Sequence, residues 1–337
     1  MASLLSFISI KNDWCIHCSF KIRGIGNLIL QSTLRIQNEK KKSPQVFSSS
    51  GGNAGFAAAT ASQRLSLPCT VVVPKTTKQR LIEKIKSTGA NVIVKGNHWK
   101  EADTYLKSEV MKNINESSFE PIYVHPFDDP VIWEGHSTMV DEILYTLKEQ
   151  QVAVDNVKGI VCSVGGGGLY NGIIRGLEKH QLTNRIPVIA VETIGCNVLN
   201  VSLKENKEVV FDKITSIATS LGSTTISRKT FEYAQKYSTK SVAINDVSVV
   251  ETCLRYAKDF NMIAEPAMGA SLHMAYNKDL LEQTLGHKLT PDDVIIIIAC
   301  GGSSSTIQEL EEALDKLKEQ TTEIPAYKIA NYDHIHE

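Results

Sequence analysis

The sequence predicts an α/β protein with two domains built on mainly parallel sheets. Short apolar runs alternate with amphipathic runs along most of the chain, which is the pattern of repeated strand–helix units. The length of 337 residues leaves room for about two domains and a large core. Four candidate ligand loops follow predicted strands, at residues 48–55, 165–168, 192–196 and 300–305. In parallel sheets such loops lie at the carboxyl ends of strands, where ligands bind.

The first half of the chain alternates predicted helices with predicted strands. Apolar residues at helical spacing predict a helix over residues 27–36, and the alanine-rich composition of residues 56–64 strongly favours another. The other predicted elements are strands at residues 45–47, 69–73, 92–94 and 122–124, and helices at residues 77–87, 100–112 and 139–148.

The second half continues the same pattern. Residues 294–299 form a continuous apolar run, which predicts a strand buried on both faces. The residues after 321 are expected to form a loose tail. The remaining predicted elements are strands at residues 159–162 and 187–192 and helices at residues 249–259, 268–276 and 307–317. A further helix is predicted to begin near residue 173.

Four consecutive glycines, Gly165, Gly166, Gly167 and Gly168, stand between a predicted strand and a predicted helix. Glycine lets the backbone turn tightly and direct several N–H groups to one point, and the helix adds its unpaired N–H groups and the positive end of its dipole. This loop predicts a site for a phosphate dianion. The sequence has no Gly-Lys pair, which excludes a Walker-type loop, and Tyr170 stands where the dinucleotide pattern needs a glycine. A glycine-rich turn without a ligand is the alternative.

A second loop of small residues, residues 48–55, precedes the alanine-rich helix. It therefore places another helix N-terminus after a strand. The sequence predicts a second place for an anionic group there.

The composition narrows the classes of function. The formal net charge of −1 disfavours nucleic acid and anionic membrane as partners, and no apolar run approaches the roughly 20 residues of a membrane span. The seven cysteines are odd in number and scattered, which favours a reducing compartment over a disulfide framework. Cys15 and Cys18 form a C-x-x-C pair, but no second ligand pair accompanies it, so chance spacing is the preferred interpretation.

Four groups of residues, in this order, match one family. They are Ser19-Phe20-Lys21-Ile22-Arg23-Gly24, Ser49-Ser50-Gly51-Gly52-Asn53-Ala54-Gly55, the glycine loop with Leu169, and Cys300-Gly301-Gly302-Ser303. The chain resembles the catabolic L-serine/L-threonine dehydratases, of the fold type II group of pyridoxal 5′-phosphate (PLP) enzymes, and is similar to the fungal members. The resemblance implies a tryptophan synthase β-like fold with two α/β domains and the cofactor between them. The large domain would hold residues 1–24 and 125–337, and the small domain residues 25–124.

The resemblance also implies a role for each matching residue. Lys21 would act first as a nucleophile, which holds the cofactor as a Schiff base. Its freed amine would then act as a base, which takes the Cα proton of the substrate. Phe20 would stack on the cofactor ring, Asn53 would bind the ring hydroxyl and Cys300 would face the ring nitrogen. The cofactor phosphate would bind to Gly165, Gly166, Gly167, Gly168 and Leu169, and the substrate carboxylate to Ser50, Gly51, Gly52, Asn53 and Ala54. Glu192, Cys196 and Ser220 match positions that line a monovalent-cation site in some relatives, which suggests K⁺.

The implied reaction is the β-elimination of L-serine to pyruvate and of L-threonine to 2-oxobutanoate, with release of ammonia. A thiol at Cys300 is a weaker partner for the ring nitrogen than a carboxylate would be, which favours loss of the hydroxyl over transamination. Racemase relatives are one alternative, but they carry a second base, usually serine, where this chain has Gly51. A cofactor-binding homologue with impaired catalysis is the other, because Cys15 to Cys18 stand where relatives carry Pro-Ser-Gly.

The expected partners are an amino-acid substrate and a second copy of the chain in a homodimer, and not nucleic acid or a membrane. The sequence leaves the compartment open between cytoplasm and mitochondrion. It also leaves open the ratio of serine to threonine activity.

Overall fold

The structure, a computed structural model of the chain, describes residues 19–40, 42–115, 117–302, 304–319 and 324–331. Two compact units divide it, an N-terminal unit of Ser19–His136 and a C-terminal unit from Ser137 onward. The predicted C-x-x-C pair and Ser303 lie outside the described residues.

The N-terminal unit contains a four-stranded sheet in the order β3-β2-β1-β4, with every neighbouring pair parallel. Helix α4 continues into a π-helical turn, Leu106–Val110, and a 3₁₀ turn, Met111–Asn113. The elements of this unit are α1 (Lys21–Glu39), β1 (Ser43–Ser48), α2 (Asn53–Arg64), β2 (Cys69–Val73), α3 (Gln79–Lys86), β3 (Asn91–Val94), α4 (Trp99–Tyr105), β4 (Phe119–Val124) and the first part of α5 (Pro130–Glu149).

Helix α1 packs on α2 and on strands β1 and β4. Its buried residues Ile25, Ile29 and Ile36 share one helical face, and they belong to the same core as Val46 of β1. Burial of a side chain of this size contributes about 1.5–3 kcal/mol. This face fixes the helix that begins at Lys21 against the sheet.

The C-terminal unit contains a five-stranded sheet in the order β8-β5-β6-β7-β9. The first four strands are parallel, and β9 is antiparallel to β7. After α5 and a 3₁₀ turn at Val154–Asn156, the elements are β5 (Val157–Ser163), α6 (Gly168–Lys179), β6 (Val188–Thr193), α7 (Val198–Glu205), a 3₁₀ turn at Thr219–Leu221, α8 (Arg228–Lys236), β7 (Thr239–Ile244), α9 (Asp246–Phe260), α10 (Pro266–Tyr276), α11 (Lys278–Leu285), β8 (Val294–Ile297), α12 (Ile307–Glu319) and β9 (Tyr327–Asn331).

The predicted parallel sheets are confirmed, and strand β2 has the bounds that its β-branched run predicted. The sequence pattern missed α7, α8, β7 and α11. The predicted helix over residues 100–112 is regular only as far as Tyr105. The prediction of a loose tail is wrong for Tyr327–Asn331, because this segment pairs with β7. Across the part of the chain that the structure describes, no helix combines the length and the apolar character that crossing a membrane requires.

Candidate active site

Lys21, the first residue of α1, has its amine at the carboxyl end of strand β4. Its Nζ donates a hydrogen bond of 2.6 Å to the carbonyl oxygen of Pro126, which follows β4 by two residues. The same atom lies 5.1 Å from the centroid of the Phe20 ring. The lysine amine therefore has a defined position beside an aromatic ring, at the edge of a parallel sheet where ligands bind.

A buried histidine packs against this lysine-bearing turn. The His136 ring centroid lies 4.9 Å from that of Phe20, and its Cε1 would be 2.5 Å from a Cβ added to Gly24. Burial lowers the pKa of His136 well below its usual value, and the positive charges of Lys21 and Arg23 lower it further. The imidazole is therefore neutral, and Gly24 is small enough for α1 to lie directly on it.

The loop between β1 and α2 folds back on itself. The backbone N–H of Gly52 donates to Ser50 Oγ at 3.3 Å, and Gly52 caps the helix that begins at Asn53. A Cβ on Gly55 would overlap the carbonyl oxygen of Ser50, so only glycine allows this close approach. Helix α2 begins at Asn53, and the positive end of its dipole makes the loop suitable for a carboxylate.

The glycine loop joins β5 to α6. Gly167 caps α6 with a φ of +98°, in the left-handed region that favours glycine. A Cβ at this position would also overlap Thr230 of helix α8. Thr230 Oγ1 in turn donates to Asn171 Oδ1 at 2.9 Å, and the N–H of Ser227 donates to the carbonyl of Gly166 at 2.9 Å. Residues 227–230 therefore fix the shape of the loop from one side.

The loop fits a phosphate group. It ends at the N-terminus of α6, where backbone N–H groups can bind an anion. A side chain at Gly167 would overlap Thr230 and so disturb the shape of the loop. In addition, Asn171 Nδ2 is fully buried and has no hydrogen-bond partner among the described residues. A buried donor without an acceptor costs about 1–3 kcal/mol. The N–H groups at this helix N-terminus therefore suit an anion with several acceptor oxygens.

Cys300 lies on the same unit as the glycine loop. It follows β8, and Ser163 ends β5, its neighbour in the sheet. Because these strands are adjacent, Ser163 Oγ donates to Cys300 Sγ at 3.2 Å. The thiol is 3% exposed. It therefore presents a buried, uncharged group at the carboxyl edge of the sheet.

The three residues suggested for a cation site differ in their surroundings. Glu192 is fully buried, and its two carboxylate oxygens accept from the N–H groups of Leu199 and Asn200, at 2.9 and 2.7 Å. Burial raises the pKa of Glu192 to about 8, although these two hydrogen bonds lower it. Cys196 is also buried, whereas Ser220 is exposed.

The predicted site residues thus divide between the two units. Phe20, Lys21, Ser50, Gly51, Gly52, Asn53 and Ala54 belong to the N-terminal unit, and Gly165, Gly166, Gly167, Gly168, Leu169, Glu192, Cys196, Ser220 and Cys300 to the C-terminal unit. Sequence analysis missed four supporting residues. They are Asp103, His136, Asn171 and Thr230, each of which meets its partners only through the fold. Their local sequences carry no motif that would have identified them.

The chain belongs to the family described as "Pyridoxal-phosphate dependent enzyme", whose model matches residues 4–301. It is 64% identical to the catabolic L-serine/threonine dehydratase of Saccharomyces cerevisiae, over 93% of this chain and 86% of that protein. It is 36% identical to an L-serine dehydratase of Dictyostelium discoideum, over 89% of this chain and 83% of that protein. These matches confirm the resemblance that the four groups of residues predicted.

Solved structures agree with the predicted fold. A fungal L-serine ammonia-lyase from Rhizomucor miehei superimposes with a TM-score of 0.76 at 31% identity, over 90% of this chain and 89% of that chain. Maize serine racemase, at 20% identity, shares the fold with a TM-score of 0.73, over 90% of this chain and 85% of that chain. The expectation of an α/β fold of type II is therefore confirmed.

Proposed function

We propose that this chain is an ammonia-lyase that converts L-serine to pyruvate and L-threonine to 2-oxobutanoate, with release of ammonia and with PLP as its cofactor. The observation that carries the proposal is the placement of Lys21 at the start of α1, with its amine beside Phe20 and Pro126. The name of the similar Saccharomyces cerevisiae protein supports both substrates, and that of the Dictyostelium discoideum protein supports L-serine.

The cofactor would be held by groups that the structure describes. The N–H groups at the start of α6 and of the glycine loop would bind its phosphate, Lys21 Nζ would attach to it covalently, and Asn53 would bind its ring hydroxyl. When bound, PLP supplies an electron-withdrawing ring that stabilises negative charge at the substrate Cα.

The residues of the chain then orient the substrate and move its proton. The loop of residues 50–54 binds the substrate carboxylate through N–H groups at the start of α2, which fixes the direction of the Cα–H bond. Lys21 Nζ takes the Cα proton as general base, and the carbonyl of Pro126 is an acceptor for the lysine amine. Loss of the proton and the β-hydroxyl as water leaves an enamine, and hydrolysis of this enamine gives the keto acid and ammonia.

Cys300 would favour elimination over transamination. A thiol that accepts a hydrogen bond from Ser163 is a weak, uncharged partner for the ring nitrogen. It would not keep that nitrogen protonated as a carboxylate would. Less negative charge would then build up on the ring, which would favour loss of the β-hydroxyl over transamination.

We also propose that K⁺ binds near Glu192 and Cys196, and that the chain forms a homodimer. The buried carboxyl group of Glu192 supports the cation, because it supplies hard oxygen ligands and because a bound cation would stabilise its ionised form in the protein interior. Sedimentation velocity at micromolar concentration tests the dimer, and a single monomer boundary would contradict it.

The experiment for the proposed function is assay and trapping at Lys21. The purified protein should produce pyruvate from L-serine, and its visible absorbance band should disappear on borohydride reduction, with the label on Lys21 in a peptide map. Lys21→Ala should lower kcat by about 10²- to 10⁴-fold, the usual contribution of a general base. Lys236→Ala, at an exposed lysine of α8, is the control. A label on another lysine would contradict the role of Lys21, and a labelled protein without turnover would show an impaired homologue.

A further inference from the structure

Asp103 is a charged residue in the core of the N-terminal unit that the reaction does not use. It lies in α4 and is only 8% exposed. Its neighbours Ala102 and Leu106 are four residues apart on one helical face, and they pack with Phe47 of β1 and Val72 of β2. This packing holds the Asp103 carboxylate against the carboxyl ends of β1 and β4.

Three donors converge on the Asp103 carboxylate. Ser49 Oγ and the Tyr123 hydroxyl each donate to Oδ1 at 2.7 Å, and Lys107 Nζ lies 2.7 Å from Oδ2. Burial opposes ionisation, but these three partners together lower the pKa of Asp103 below its usual value. The group is therefore a carboxylate, and a carboxylate can only accept, so both hydroxyl hydrogens must point toward it.

The partners of Asp103 belong to the two segments that carry the N-terminal half of the proposed site. Ser49 is fully buried and directly precedes residues 50–54, the loop proposed for the substrate carboxylate. Tyr123 is in β4, three residues before Pro126, whose carbonyl accepts from Lys21 Nζ. One carboxylate therefore connects the start of the substrate loop with the strand that precedes the acceptor of the lysine amine.

We propose that Asp103 is a positioning residue for substrate recognition, which acts through Ser49 to fix the loop of residues 50–54. The proposal rests on the proposed function, because the proposed function assigns that loop to the substrate carboxylate. Asp103 itself would not touch the substrate. Its loss lets the loop adopt other conformations, and the N–H groups of the loop then bind the carboxylate less well.

The first test is Ser49→Ala, which removes one small hydroxyl and keeps the charge of Asp103. We expect the KM for L-serine to rise about tenfold, the effect of one hydrogen bond to a charged group, with kcat changed less than about twofold. The dissociation constant of L-alanine, which has the carboxylate but no leaving hydroxyl, should rise by the same factor when it is measured from the cofactor absorbance. Cofactor content should not change.

Two further variants separate positioning from general destabilisation. Asp103→Leu, which removes the acceptor oxygens, should raise the KM at least as much as Ser49→Ala, and adding Ser49→Ala to it should raise the KM little more, because the two residues act through one hydrogen bond. Lys107→Met is the matched control. It removes the half-exposed lysine amine that is the charge partner of Asp103, and it leaves the hydrogen bonds from the Ser49 and Tyr123 hydroxyls in place. It should leave the KM within about twofold of the native value.

The outcomes distinguish this inference from the proposed function. An unchanged KM and L-alanine affinity in Ser49→Ala and Asp103→Leu would overturn the role of Asp103, and so would equal effects in Lys107→Met. If the native protein binds L-alanine but does not turn over L-serine, the proposed reaction fails. The L-alanine affinities of the variants then still decide the role of Asp103.

Discussion

At the scale of single residues, we propose that Gly51 favours elimination over racemisation. A Cβ added to Gly51 would lie 2.6 Å from Thr77 Cγ2 and closer still to the Thr77 hydroxyl. A side chain at residue 51 therefore requires Thr77 to move. Glycine cannot carry a proton, so residue 51 supplies no second base for racemisation.

The native protein should therefore form pyruvate from L-serine with almost no D-serine. Gly51→Ser alone should weaken substrate binding, because the new side chain collides with Thr77. Gly51→Ser with Thr77→Ala should raise the ratio of D-serine to pyruvate by about tenfold or more, since a hydroxyl can then return the proton to the other face of Cα. Chiral chromatography measures both products, and Thr77→Ala alone is the control. Abundant D-serine from the native protein would mean that another group is the second base.

At the scale of elements, the turn from β5 into α6 depends on Gly167. Two constraints coincide there, a left-handed backbone and contact with Thr230. Gly89 offers a matched comparison, because it has a φ of +88° but a Cβ there would meet nothing within 4 Å.

Gly89→Ala should lower the free energy of unfolding by about 1–2 kcal/mol, the cost of a left-handed alanine. Gly167→Ala should cost more, because its Cβ also displaces Thr230, and it should reduce the fraction of protein that retains PLP after gel filtration. Adding Thr230→Ala should recover part of the stability, since it removes the overlap but not the backbone strain. Chemical denaturation and cofactor absorbance measure the two effects. Equal losses at Gly89 and Gly167 would show that Thr230 does not constrain the loop.

Strand β9 is the other element whose role can be tested. It pairs with β7, with Tyr327 opposite Ile244 at one end and Asn331 opposite Lys240 at the other. The N–H of Asn245 also donates to the carbonyl oxygen of Ala326 at 3.0 Å. Without it, the hydrogen-bonding groups along the edge of β7 would be unpaired.

Deletion of residues 324–337 should therefore lower the melting temperature by several degrees and promote aggregation. Deletion of residues 332–337 keeps the whole of β9 and should have little effect. Differential scanning calorimetry and light scattering distinguish the two deletions. If both proteins melt at the native temperature, the pairing of β9 with β7 adds no stability.

At the scale of the whole molecule, the buried carboxylate of Glu192 connects stability to pH. Its pKa is about 8 in the folded protein, against 4.5 for an ordinary glutamate. Between these values the folded state binds a proton that the unfolded state has released. The contribution of Glu192 to the free energy of unfolding is therefore greatest below pH 4.5 and decreases as the pH rises toward 8.

In buffer without K⁺ or Na⁺, the native protein should lose more stability between pH 5 and pH 8 than the Glu192→Gln variant. The exposed substitution Glu311→Gln should follow the native curve. If K⁺ binds the ionised carboxylate, its addition should raise the melting temperature more at pH 8 than at pH 6. Parallel curves for the native protein and Glu192→Gln would contradict the shifted pKa. An equal effect of K⁺ on both proteins would contradict the proposed cation site.

The sequence by itself determined the class of fold and the positions of the two loops that we propose bind anionic groups. Strand–helix alternation and runs of small residues are local patterns, and the spacing of apolar residues within each segment makes them predictive. The glycine loop lies between β5 and α6 as its composition predicted. The motifs around Lys21 and Asn53 also identified the family.

Only the tertiary structure decided which residues support those loops. Asp103 bonds to Ser49, 54 residues away, and Thr230 bonds to Asn171, 59 residues away. The pairing of β9 with β7 also joins segments that are far apart in the sequence, and no local pattern indicated it. The segment of β9 was therefore predicted as a tail. A side chain in such a contact is chosen for a neighbour that the fold brings to it. The segment around it therefore carries no periodicity or motif from which the contact could be predicted.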